Sequence, residues 1–121
     1  LLEFGRLTIS SITVFERLRG YQAALRDGKP YHRQLQAFEA LVNTCLVIPF
    51  DEETAAVAAS IWAAATRAQR HNLGDILIAA TAIARELPVV TRNKRDFEGL
   101  GKSSGLPLRV VDWTAKARAR K

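Results

Sequence analysis

Four short β-forming runs mark out this chain: LTIS at residues 7–10, LVIPF at 46–50, PVVT at 88–91 and LRVVDW at 108–113. Helical stretches separate the first three, and a Gly/Ser-containing loop leads to the fourth. From Thr13 to about Arg26, the apolar residues Val14, Leu18, Tyr21 and Leu25 recur at three- and four-residue spacing, one face of a helix. Asp27-Gly28-Lys29-Pro30 is a turn that stops it. A second helix is expected over residues 31–44, with Leu35, Phe38, Leu41 and Val42 on one side. Asp51 is placed to cap a long Ala-rich helix carrying Glu52 and Glu53 in its first turn and Arg67 and Arg70 in its last, an order that suits the helix dipole. A break at residues 72–74 precedes an apolar helix at 75–86. Strands joined through helices of this length imply βα units, hence an α/β fold in three layers: a mostly parallel sheet covered by helices on both faces. Ligands of such sheets gather beyond the carboxyl ends of the strands.

The chain has 121 residues and no repeat or Pro/Gly-rich linker, so one domain over residues 1–121 is expected, with a basic tail at about 114–121. No apolar run approaches the ~20 residues of a transmembrane helix, and the opening residues lack a signal-peptide layout. A cytoplasmic protein with no membrane association is the expectation. Cys45 is the only cysteine, which excludes an internal disulfide and, with only His32 and His71 beside it, a structural zinc site. It is expected to be a small buried apolar residue. The chain contains no Met; Leu1 is therefore expected not to be the natural N-terminus.

The net charge of +6 is unevenly placed. Through Thr91 nine Lys/Arg balance nine Asp/Glu, whereas the last thirty residues hold nine Lys/Arg against Asp96, Glu98 and Asp112. That excess is a candidate phosphate footprint. A solvated tail is the other account of its final KARARK.

Acidic residues stand where a parallel sheet would gather them. Glu16 follows LTIS, Asp75 opens a helix and Asp96 follows PVVT. Each has a structural explanation: Thr13-x-x-Glu16 is a capping box, Asp75 suits a helix start that Asn72 would cap, and Asp96 would cap the turn before Phe97. Together they describe convergent carboxylates, whose mutual repulsion a hard cation such as Mg²⁺ relieves. A carboxylate-held Mg²⁺ beside a basic surface is suited to phosphodiester hydrolysis.

SSITVFERLRGY resembles the segment of PIN domains, particularly the VapC-type toxins of toxin–antitoxin pairs, that carries their second acid. GDILIAATAIARELPVVTRNKRDFEGL resembles the stretch in which an acid precedes an IAATA helix and a TRN…DF passage follows. LPLRVVDW is similar to their closing strand, so the likeness covers nearly the whole chain. It implies a metal-dependent endoribonuclease that uses Mg²⁺ or Mn²⁺ on structured RNA such as tRNA or rRNA. It also implies a homodimer and inhibition by a small cognate VapB-like antitoxin, which commonly fills the acidic groove with an Arg or a helix. Glu16 matches the second acid and Asp75 the third. The fourth corresponds to Asn93 or to Asp96, and Asn93 could reach metal or water only through its carbonyl. The resemblance makes Glu16, Asp75 and Asp96 the catalytic acids and, with Asn93, the metal site. Thr91, Arg92, Lys94 and Arg95 are placed to contact the RNA backbone, with a strand end and ordinary solvated loop charge as their structural alternatives.

The family also begins with a short strand ending in an Asp-Thr-Asn or Asp-Thr-Ser type motif, and nothing in this sequence matches it. The expected PIN-like sheet therefore has its first strand missing, and a degenerate module that binds RNA or protein without cutting is the alternative reading. A basic helical interaction module unrelated to nucleases is a third. Trp62 and Trp113 are expected in a core or an interface rather than under a base.

Overall fold

A computed structural model of the chain describes residues 7–112. Trp113 and the basic tail fall outside the described residues. The described chain divides into two compact units, one ending at Pro49 and the other beginning at Phe50; each is taken by itself.

The first unit is β1 (Thr8–Ser10), α1 (Ser11–Arg26), α2 (His32–Thr44) and β2 (Leu46–Ile48). The two strands pair in parallel, Thr8 opposite Leu46 and Ser10 opposite Ile48. Helix α1 starts earlier than its apolar periodicity indicates. Ser10 ends the strand in extended conformation and accepts a hydrogen bond from the Thr13 N–H at 3.0 Å, so it is the cap. Thr13 therefore lies inside the first turn, and the expected Thr13–Glu16 capping box is not formed; Glu16 is left on the helix body. The other end closes as the turn residues indicate. Gly28 takes the left-handed conformation (φ 82°), and the Gly28 and Lys29 N–H groups return to Leu25 and Ala24 carbonyls, a Schellman ending. Between the helices Tyr21 packs on Phe38, with ring centroids 5.9 Å apart, and the Arg17 guanidinium lies over both rings. Phe38 is the only fully buried side chain among the described residues of this unit. Phe15, Leu41 and Leu46 are about half exposed.

The second unit contains α3 (Glu52–Ala64), α4 (Arg67–Arg70), α5 (Leu73–Ala84), β3 (Val89–Thr91), α6 (Lys94–Ser104) and β4 (Val110–Asp112). Strands β3 and β4 run parallel, with Val89 opposite Val110 and Thr91 opposite Asp112. Helices α3 and α5 form its most extensive contact. Ala58, Ala79, Ala80 and Ala82 allow the two to approach closely, and Ile61, Ile76, Val89, Phe97 and Leu100 complete one continuous core. Burying side chains of the Ile, Val and Phe size contributes roughly 1.5–3 kcal/mol each, so this cluster is the main driving force of the unit.

Three expectations change here. The Ala-rich helix does not run on to Arg70: it ends at Ala64, Ala65 turns to extended backbone, and Thr66 starts α4 with a complete capping box to Gln69. A Thr with an acceptor-bearing residue three positions on offers the backbone a new start, which outweighs the high helix propensity around it. The stretch after PVVT is a helix rather than a loop. Its glycines read as breakers, yet Phe97 and Leu100 bury one face of α6, and Gly105 (φ 70°) ends it. Cys45 is half-buried rather than part of a core.

Mixed α/β character, short parallel strands and intervening helices agree with the architecture anticipated from the sequence. No helix among the described residues is long and apolar enough to cross a membrane.

Candidate active site

Helices α5 and α6 both begin with an acid in their first turn, Asp75 in one and Asp96 in the other. The positive end of each helix dipole favours a carboxylate at that position. The starts are set by local sequence. Asn72 precedes α5 and accepts through its backbone carbonyl from the Asp75 and Ile76 N–H groups, with no cap bond from its side chain. Asn93 precedes α6 in the same way, and its own N–H donates to the Thr91 hydroxyl at 2.9 Å. Thr91 thus fixes the turn between β3 and α6 at the carboxyl end of the strand.

Asp75 and Asp96 line one cavity of about 230 Å³. Arg95, Gly99 and Leu100 complete the α6 side of it, and Ala68, Gln69 and Asn72 line it from α4 and its exit. Helix α6 comes close to α4 here. A Cβ on Gly99 would lie 3.3 Å from the Gln69 side-chain nitrogen, so a larger residue would push into the cavity wall. Asn93 is not among the lining residues, although it sits three positions before Asp96.

A second and larger cavity of about 610 Å³ lies along α6. Arg92, Lys94, Arg95 and Lys102 line it, with Glu98 and Asp112. Lys94 and Glu98 are 3.9 Å apart and half exposed, a solvated pair that contributes little to stability. Arg95 and Gly99 belong to both cavities, so the cationic groove and the acidic cavity adjoin along α6. Since Thr91 and Asp112 are register partners, the groove also lies at the carboxyl ends of β3 and β4.

Glu16 belongs to the first unit. It is half-buried on α1, with the Arg19 guanidinium 4.0 Å from its carboxylate. The structure therefore brings Asp75, Asp96 and Arg95 together and gathers Arg92, Lys94 and Arg95 along one groove.

Sequence reasoning missed Gln69, Asn72 and Lys102. Lys102 follows Arg95 by two helical turns, a spacing visible only once residues 94–104 are known to be helical. Gln69 carried a signal in its place within the Thr66 capping box, but that motif speaks for a helix start and not for a cavity.

Among the described residues no group of three or more His, Cys, Asp or Glu side chains is placed to hold a metal ion. The acidic cavity offers two carboxylates and amide carbonyls, a donor set of hard oxygens without thiolate or imidazole. Such a set fits Mg²⁺, which is commonly held by one or two carboxylates plus substrate phosphates and water.

The family model for the PIN domain matches residues 1–102. The chain is 34% identical over 115 residues to the tRNA(fMet)-specific endonuclease VapC of Shigella flexneri, covering 93% of this chain and 80% of that protein. It is 32% identical over 114 residues to the tRNA(fMet)-specific endonuclease VapC of Salmonella typhimurium (strain LT2), covering 93% of this chain and 79% of that one.

Proposed function

This chain belongs to the PIN-domain family, and on that premise we propose that it is an endoribonuclease, the toxin of a toxin–antitoxin pair, hydrolysing phosphodiesters of structured RNA with a divalent cation. The observation that carries the reading is the pairing of Asp75 with Asp96 in one cavity that adjoins a cationic groove. The two relatives named for cleavage of tRNA(fMet) make initiator tRNA the first substrate to try.

Asp75 and Asp96 would hold Mg²⁺ or Mn²⁺, with Glu16 as a further acid on the strength of the family resemblance and Asn93 contributing at most a neutral carbonyl. When bound, such an ion neutralises the phosphate and makes water a competent nucleophile near neutral pH. The chain's own residues do the rest. Arg95 stands where the two cavities meet and is suited to grip a phosphate oxygen beside the acids. Arg92, Lys94 and Lys102 extend that grip along the backbone, and the Thr91 hydroxyl keeps the β3–α6 turn in shape. The carboxylates exclude a bare phosphate unless cation and substrate arrive together, since like charges in one small cavity repel.

A cognate VapB-like antitoxin and a second copy of the chain complete the proposal as partners, in the cytoplasm where RNA and antitoxin meet. Asn93, neutral where some members of the family carry an acid, favours as second reading a PIN-like module that binds RNA or protein without cutting. Asp75→Asn in the full-length protein separates the two. It keeps the shape and the cap-proximal hydrogen bonding while removing the charge. Cleavage of initiator tRNA should fall about a hundredfold or more, with thermal unfolding close to that of the parent. Full activity in the variant would reject the role given to Asp75.

A further inference from the structure

Helix α4 is a partition. One side of this turn and its exit, through Ala68, Gln69 and Asn72, lines the acidic cavity. Arg67, Arg70 and His71 line a different cavity of about 390 Å³, which they share with Trp62 of α3. The sharp break at Ala65 and the restart at Thr66 give α4 this position.

The Trp62 cavity has a composition that folding alone does not explain. Trp62 is 41% exposed, so it belongs to no core. Three of the four lining residues are basic or can become so, and no acid lines the cavity. Arg70 has a structural duty: its Nε and Nη2 donate to the Trp62 and Ala63 carbonyls at 3.0 and 3.4 Å, closing the end of α3. The same anchoring holds its guanidinium 4.9 Å from the Trp62 ring centroid, which fixes a planar cation against an indole at the surface. Arg67 and His71 remain on the exposed rim.

A preset flat surface flanked by cations is what an unpaired nucleotide requires: the base stacks on an aromatic ring or a guanidinium plane, and the cations take its phosphate. We propose that the Trp62–Arg70 cavity binds an unpaired nucleotide of the RNA substrate, on the α4 side of the acidic cavity, while the Arg92–Lys102 groove follows the backbone on the α6 side. This deepens the nuclease reading and rests on it. It implies that the preferred substrate has a single-stranded loop or end beside the scissile bond, rather than a continuous duplex.

The test uses full-length protein carrying Asp75→Asn, so that bound RNA is not cut. Its probes are two fluorescein-labelled RNAs, a hairpin with an unpaired loop and a fully paired duplex. Adding Trp62→Ala should weaken hairpin binding about tenfold and leave duplex binding within about twofold, while Trp62→Phe retains most of the hairpin affinity. Arg67→Ala, a surface change, should weaken hairpin binding and lower its salt slope by about one. Equal affinity of parent and both Trp62 variants for the hairpin would overturn the proposal. So would a Trp62→Ala protein whose loss of binding tracks a change in oligomeric state by light scattering, because the cavity would then seat a second copy. Metal-dependent cleavage by the unaltered protein, indifferent to Trp62, removes this inference alone. A folded protein that neither binds nor cuts either RNA removes the nuclease reading together with it.

Discussion

Arg95 is the residue on which the site's electrostatics turn, because it lines both the acidic cavity and the cationic groove. Arg95→Ala should therefore raise KM for tRNA several-fold and reduce the salt dependence of binding by about one counterion. A change in kcat alone, at unaltered KM, would mean that Arg95 acts on the chemical step and not on the backbone. Much of the site could be read from single residues in the sequence. Asp75 is legible from the apolar helix it opens, whereas Asp96 reads as a turn cap after PVVT and its place in the first turn of α6 is hidden. Arg92, Lys94 and Arg95 were visible as a local excess of charge. Lys102, Gln69 and Asn72 were not, because their membership depends on α6 lying against α4, a tertiary contact with no local signature. Trp62 shows the same limit, since burial of an indole is decided by what packs on it.

At the scale of elements, the helix ends of the second unit hold the clearest energetic devices. Asp51 caps α3, accepting from the Thr54 N–H and hydroxyl, and pairs with Arg85 at the end of α5. The Thr54 hydrogen bonds, backbone first, hold its carboxyl below the usual carboxylate range, and the Arg85 charge adds to them. A carboxyl lowered in the folded state stabilises fully above its unfolded pKa of about 4 and loses that stabilisation as pH falls through the lowered value. Urea midpoints should thus decline on acidification below about pH 4, and Asp51→Asn should flatten that decline. An unchanged slope in the variant would show that other carboxyls dominate. Helix α5 offers a second case. Glu86 sits at φ 55°, where its N–H and that of Leu87 return to Ile83 and Ala82 carbonyls in a Schellman ending. A side chain in that conformation costs about 1–2 kcal/mol, part of which glycine gives back as backbone entropy. Glu86→Gly should therefore raise stability by about 0.5–1 kcal/mol in urea unfolding; a loss would show that the strain is compensated through the side chain. The sequence revealed the starts at Asp51 and the stops at Gly28 readily. It hid the Ala65 break, where propensity favoured continuation, and hid α6, where two glycines obscured the Phe97–Leu100 face.

For the molecule as a whole, the parallel strands, the intervening helices and the PIN-domain match agree on one kind of fold. The alternation of β-forming runs with helical stretches was sufficient to foresee it, because parallel strands need long crossovers. The balance of charge is equally global. Up to Thr91 acids and bases cancel, and the described part of the excess runs along α6 and on to Arg109. Under the proposed function, that distribution would face the phosphates of an RNA. If the proposed function holds, this arrangement cuts RNA only with a divalent metal. The direct measurement is cleavage of total tRNA and rRNA by the full-length protein, made metal-free with EDTA and then titrated with Mg²⁺ and Mn²⁺, beside the Asp75→Asn variant under the same conditions. The expected result is no cutting in EDTA, discrete cuts restored by either metal, and cutting reduced about a hundredfold or more in the variant at any metal concentration. Cutting that survives EDTA or proceeds at the parent rate in Asp75→Asn, or a folded and metal-saturated protein that leaves every RNA intact, would contradict the nuclease reading.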